Sequence, residues 1–258
     1  MFPRLRMIKL RELTGSFLAA VRLLTVLPLG RNAPSATELG GAATFFPLVG
    51  AFLGMALAGL NSLLADLPEL LRGALLLLAW VVATGALHLD GLADTCDGLA
   101  GMTPERRLAI MEDVRTGAYG VVGVVSLLIV KFAALASLGP GALPAALVAA
   151  PLLGRWTITL VITVFPYARG PGGLGYQFKR GTGIPGLVAS TVFSLVLVFV
   201  LMPWRPAVAL TAVIPLALGL GWWLARRLGG LTGDTYGMIC EFVETAVLVI
   251  TIFAWEAL

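Results

Sequence analysis

The chain has 258 residues, 59% of them hydrophobic and 12% charged, and its mean hydropathy is +0.95. Soluble domains carry about 25% charged residues, so this chain lacks the charge to cover a water-facing surface and belongs with membrane proteins. Its net charge of +4 is no signal for nucleic acid, because in such a chain Lys and Arg chiefly set topology.

The N-terminus, MFPRLRMIKLRELTG, is basic and has no apolar run followed by a small-residue cleavage site, so it reads as part of the mature chain. Residues 13–29 are apolar but interrupted by Arg22 and ended by Pro28, which predicts a helix in the membrane interface or packed under the bundle. A span needs roughly 20 apolar residues. Stretches 44–65, 73–89, 118–138, 142–165, 184–202, 207–224 and 238–255 approach that length, the second being short and the last opening on Glu241 and Glu244. They predict an all-α polytopic transmembrane helical bundle of about six to seven spans. With no repeat or linker, 1–258 reads as a single integral-membrane domain: 1–43 a basic interfacial segment, 44–258 the bundle.

Of the 18 Lys and Arg residues, 14 fall on one side of this topology, Arg72 and Arg205 fall on the other, and Lys131 and Arg155 lie within spans. The asymmetry places the N-terminus and the long polar connections 90–117, 166–183 and 225–241 on the cytoplasmic side. A transporter would need polar access from both faces. Cys96 and Cys240 fall on the cytoplasmic side and are expected to be reduced thiols.

The second span ends in His-Leu-Asp-Gly-Leu-Ala-Asp-Thr-Cys-Asp-Gly, residues 88–98. If the helix continues, Asp90, Asp94 and Asp97 stand at i, i+4 and i+7 on one face. Three stacked carboxylates repel one another unless a cation sits between them, and all-oxygen ligation suits Mg²⁺. Gly91 and Gly98 leave room for a ligand or a neighbouring helix. A single aspartate there would more often be a solvated helix end; three at this spacing point to function. His88, the only histidine, is more often a packed residue than a ligand, but two residues before Asp90 it is a candidate for substrate contact or proton handling.

Thr103-Pro104-Glu105 reads as a helix start. Asp113 and Arg115 then precede a turn, Gly117–Gly120, suited to meeting a phosphate. Mid-span Arg155 requires a partner, either an aspartate or a substrate phosphate. Lys131, nearer a span end, can snorkel and receives no role. Loop 166–183, with six glycines and with Tyr167, Arg169, Lys179 and Arg180, suits a polyphosphate. Asp234 is a candidate ligand or base, while Glu241 and Glu244 are divided between function and structural pairing with Arg226, Arg227 or Arg155.

In order, HLDGLADTCDG, RRLAIMEDVRTGAYG, PYARGPGGLG and GGLTGD, with TVLPLG and FFPLVG before them, resemble the signature segments of the cobalamin synthase family, the adenosylcobinamide-GDP ribazoletransferases. The resemblance spans nearly the whole chain and departs from the pattern at Cys96, where a small residue is usual. It implies a Mg²⁺-dependent inner-membrane enzyme of the last steps of cobalamin assembly. Such an enzyme joins adenosylcobinamide-GDP to α-ribazole or its 5′-phosphate, giving adenosylcobalamin or its 5′-phosphate, and releases GMP. Asp90, Asp94 and Asp97 would hold metal; Asp97 is the first candidate for general base and Asp113 the next, and Asp94 is counted with them as catalytic. Arg115, Arg155, Arg169, Lys179, Arg180, His88 and Asp234 would meet substrate. The runner-up is a CDP-alcohol phosphotransferase-type membrane enzyme, whose wider aspartate spacing is absent. The partners implied are the two substrates and the lipid bilayer, with no nucleic acid; a homo-oligomer is compatible with this reading.

Overall fold

The computed structural model describes residues 2–29, 33–201 and 206–256, and side chains for 11–29, 33–200 and 211–255. Among the described residues the chain is helical, with no strand. The elements are α1 (Phe2–Leu24), α2 (Ala36–Ala42) running through a single 3₁₀ turn (Ala43–Phe45) into α3 (Phe46–Leu63), α4 (Glu69–Thr84), α5 (Leu87–Gly98), α6 (Pro104–Ile110), α7 (Ala118–Ser137), α8 (Leu143–Val164), α9 (Gly173–Gly181), α10 (Ile184–Leu201), α11 (Pro206–Leu228) and α12 (Gly233–Glu256).

Four runs are long and apolar enough to cross a membrane: Ala36–Leu63, Ala118–Ser137, Leu143–Val164 and Gly233–Trp255. Two more reach that length only as bent pairs, α4 with α5 at 86° and α9 with α10 at 88°. Four to six spans thus lie among the described residues, those of a multi-pass membrane protein. The predicted span 207–224 falls on α11, whose opening side chains, with Arg205, lie outside the described set. The predicted interfacial helix ends before Pro28 as expected, and α1 packs Ala19, Ala20, Val21 and Leu24 into the core.

The centre of the bundle is α8, buried along nearly its whole length. It is approached closely because its neighbours lack side chains at the contact. Pro151 has no N–H to offer the carbonyl of Leu147, and Gly54 of α3 backs onto that carbonyl: a methyl at Gly54 would stand 2.6 Å from it. Gly50 meets the Pro151 backbone one turn away. On the other side, Gly154 abuts Cys240 and Glu244 of α12.

That second contact carries a buried charge network. Lys131 of α7 donates to Glu241 (2.9 Å) and Glu244, and its ammonium lies 4.2 Å from the Trp80 ring centre. Arg155 pairs with Glu244. Lys131 therefore does not snorkel: it is 2% exposed, and its partners on α12 hold it inside. Of the partners named for Arg155, the structure supplies neither aspartate nor phosphate but Glu244, in the glutamate–arginine pairing that was the structural alternative for that residue. The two thiols are free, as expected, though they sit in helices and not in loops: Cys96 is half-buried in α5, and Cys240 is buried in α12.

Candidate active site

Helix α4 stops for a local reason. Gly85 adopts a left-handed conformation (φ 60°), its N–H bonds Val82 O at 3.1 Å, and the Ala86 N–H bonds Val81 O at 3.1 Å. This pair of bonds is a Schellman cap. Ala86 is left-handed too (φ 58°), and the two residues swing the next helix through 86°. The aspartates therefore do not continue a span. They ride on a separate helix, α5, on which the i, i+4, i+7 spacing is kept: Asp90 exposed, Asp94 half-buried and Asp97 buried.

The start of α12 lies against α5 because both helices are bare at the crossing. A methyl on Gly91 would stand 2.7 Å from Asp234 O, and one on Gly237 would stand 3.1 Å from His88 Cα. The glycine next to Asp90 thus makes room for a neighbouring helix, and that helix brings Asp234. Loop 166–172 is stitched to the residues before α12 by Ala168 N–H to Leu231 O and Leu231 N–H to Pro166 O, both 2.8 Å. The stitch delivers Arg169, which pairs with Asp234 at 3.0 Å and Glu112 at 3.4 Å.

These elements enclose a cleft of about 630 Å³. Asp90, Asp234, Glu112, Arg169 and the backbone of Gly170–Gly175 line its mouth, with His88, Tyr167 and Tyr236 also in its wall. Asp94 stands one turn beyond Asp90, in the combined field of Asp90, Asp234 and Asp97, with Arg169 as the opposing charge. Of the predicted site residues, the structure gathers Asp90, Asp94, His88, Arg169 and Asp234. Glu112 and Tyr236 were not singled out beforehand. Glu112 neighbours the noted Asp113, and Tyr236 follows the noted Asp234 by two residues, in Gly-Asp-Thr-Tyr-Gly.

Other candidates are engaged elsewhere. Asp97 turns both carboxylate oxygens to the start of α7, accepting from Gly117 N–H (2.7 Å) and Gly120 N–H (2.9 Å). The glycine turn predicted to meet a phosphate thus already holds an anion, Asp97 itself. Asp113 is held by Arg115 through two bonds of 3.0 and 2.7 Å, and this partner depresses its carboxyl to about 2, making it a weak proton acceptor. Arg115 is 85% exposed and outside the cleft wall. Lys179 donates to Ile162 O and Thr163 O, capping α8 instead of facing the cleft. Arg180 leans on Tyr176 at 5.9 Å beside a separate groove formed with α1 and α2. Arg155, locked to Glu244, is 1% exposed.

Residues 16–252 match the family model described as cobalamin-5-phosphate synthase. The chain belongs to the cobalamin-5-phosphate synthase family. Similar relatives named adenosylcobinamide-GDP ribazoletransferase come from Pseudomonas paraeruginosa (42% identical, over 93% of this chain and 98% of the relative) and Pseudomonas aeruginosa (41%, over 93% and 98%). One from Synechococcus elongatus is 38% identical over 93% of this chain and 97% of its own. No solved structure matches the chain.

The donor set of this family member can be tested against the hard cation its aspartates imply. The side-chain oxygens of Asp90, Asp94 and Asp97 do not converge: among the described residues, the group with ligand atoms all within 4.8 Å of one another is His88, Cys240 and Glu244. That trio is buried beside the ammonium of Lys131 and the guanidinium of Arg155, a poor place for another cation. Asp90 and Asp234 line the cleft with Asp94 one turn behind Asp90, and the single cation Arg169 in the wall leaves the acids in excess. Mg²⁺ keeps several waters and takes one or two carboxylates plus substrate phosphates. The cleft fits that mode, not a three-aspartate cage.

Proposed function

We propose that this chain is a Mg²⁺-dependent adenosylcobinamide-GDP ribazoletransferase of the inner membrane. It joins adenosylcobinamide-GDP to α-ribazole or its 5′-phosphate and releases GMP, with the cleft at the cytoplasmic face. The observation that carries the reading is the meeting of Asp90, Asp234 and Arg169 around a glycine-rich backbone in one cleft, with Asp94 adjoining. Family membership supports the chemistry, and the charge asymmetry of the connecting segments supports the orientation.

The residues suit the reaction. A ribose hydroxyl must attack the phosphorus that bears the corrinoid arm, and negative charge accumulates on the departing GMP oxygen. Phosphoryl transfer of this kind depends mostly on positioning and charge stabilisation. Asp90 and Asp94 would hold the metal, which when bound supplies positive charge to the pyrophosphate oxygens. Arg169, held by Asp234 and Glu112, is set to meet a phosphate oxygen, and the exposed backbone of Gly170–Gly173 lies beside it. We assign the hydroxyl proton to the Asp94 oxygen not engaged by the metal, because both oxygens of Asp97 are committed to α7 and Asp113 is held by Arg115. Asp97 is left the role of fixing α5 against α7.

Purified protein in detergent or nanodiscs, given adenosylcobinamide-GDP, α-ribazole and Mg²⁺, is expected to release GMP. CDP-diacylglycerol with an alcohol acceptor is expected to yield no CMP. CMP release without GMP release would transfer the chain to the CDP-alcohol class.

A further inference from the structure

The cleft is polar at its mouth and apolar at its floor. Asp90, Glu112 and the glycine backbone are exposed, whereas Leu24, Phe46, Ile158 and Phe178 are at most 5% exposed. Two polar side chains sit among these floor residues, His88 (4% exposed) and Tyr236 (3%), and neither His88 Nδ1 nor the Tyr236 hydroxyl has a hydrogen-bond partner in the protein. Buried polar atoms are nearly always paired, and unpaired ones on side chains that line a cleft mark where a bound molecule can supply the partner.

We propose that this floor binds the heterocyclic base of the ribazole substrate, and that the Tyr236 hydroxyl donates to the ring nitrogen not bonded to ribose. This rests on the transferase reading and names the subsite within it. The base is a dimethylated benzimidazole: flat, apolar along its benzo edge, with one lone-pair nitrogen left after glycosylation. Leu24, Phe46, Ile158 and Phe178 suit that edge. A phenol always has a proton to donate, whereas a neutral imidazole carries one on Nδ1 in only one tautomer. Tyr236 is therefore the donor, and His88 is the second polar contact beside it. Guanine, the other base in the reaction, carries donors and acceptors along two edges, most of which this floor would leave unmet. With the base on the floor, the ribose points to the mouth, where Asp90, Asp94 and Arg169 await the pyrophosphate.

The test uses Tyr236→Phe, which keeps the ring and removes only the donor. Two readouts are taken: the KM of each substrate in GMP release, and the direct binding of α-ribazole to protein in nanodiscs, followed by its benzimidazole fluorescence. Loss of one neutral hydrogen bond should weaken α-ribazole by about three- to tenfold in both readouts, with the KM for adenosylcobinamide-GDP unchanged. Indole riboside, which lacks the acceptor nitrogen, should bind wild type and Tyr236→Phe equally. A rise in the KM for adenosylcobinamide-GDP instead, or unchanged α-ribazole binding in the variant, overturns the assignment. If wild type releases no GMP, the catalytic reading fails, and fluorescence binding still decides the base site by the same comparison of the two proteins and the two ribosides.

Discussion

Two acidic clusters lie along α12, and they are built to opposite ends. Glu241 and Glu244 face Lys131 and Arg155: two carboxylates against two cations, all buried. About two and three turns earlier, Asp234 looks into a cleft where it joins Asp90, Glu112 and, just behind, Asp94, with Arg169 as the single cation in the wall. The first cluster is electrically closed and ties α7, α8 and α12 together. The second carries surplus negative charge, which a folded protein tolerates where a cation or cationic substrate group is to arrive. The residue types are alike; the balance of charge separates scaffold from site.

The comparison can be broken at either end. The largest effect is expected from Glu244→Ala, which strands Arg155 in the core and leaves Lys131 with Glu241 alone. Removing one partner of a buried ion pair costs about 3–5 kcal/mol, so thermal unfolding in detergent should show a severe loss of stability and of folded yield. A variant with wild-type melting would refute the closed-network account. Asp94→Asn should do the reverse, melting as wild type does while GMP release falls by about 10²- to 10³-fold, the usual cost of losing one group that stabilises transition-state charge. Near-normal turnover would remove Asp94 from the chemistry. Asp97→Ala lies between the two, since it removes the two acceptors that hold the start of α7. It should cost about 1–2 kcal/mol of stability and a partial share of activity, read from melting and turnover in the same preparation. The smallest effect is expected at Ala86, where a non-glycine residue holds φ 58°. Ala86→Gly should raise stability by up to about 1 kcal/mol, and a clear loss would show that the Ala86 methyl is needed for packing.

The spans and the aspartate helix were legible because both depend on patterns within a single segment: apolar length for one, the i, i+4, i+7 register for the other. What was missed depends on residues far apart in the chain. Lys131 reads as a terminal lysine until Glu241, 110 positions later, is packed against it. The Gly117–Gly120 turn was legible as an anion site, but its anion comes from Asp97 and not from a substrate. The break at Gly85-Ala86 was hidden for another reason. The residues after it, Leu87-His88-Leu89, prolong the apolar run, so hydropathy continues straight where the backbone turns. Arg169 and Asp234 were both named in advance, but their pairing was not, because it requires the stitch between Ala168 and Leu231.

The bare flank of α5 has a further consequence. Gly91 follows Asp90, and its missing side chain lets the Asp234 backbone come close enough that even a methyl would stand 2.7 Å from its carbonyl oxygen. An alanine here would force the two helices apart without touching either carboxylate. The approach of α12 to α5 beside Asp90 and Asp234 is thus gauged by one hydrogen atom on α5, and the width of the cleft between them is set by a residue with no chemistry of its own.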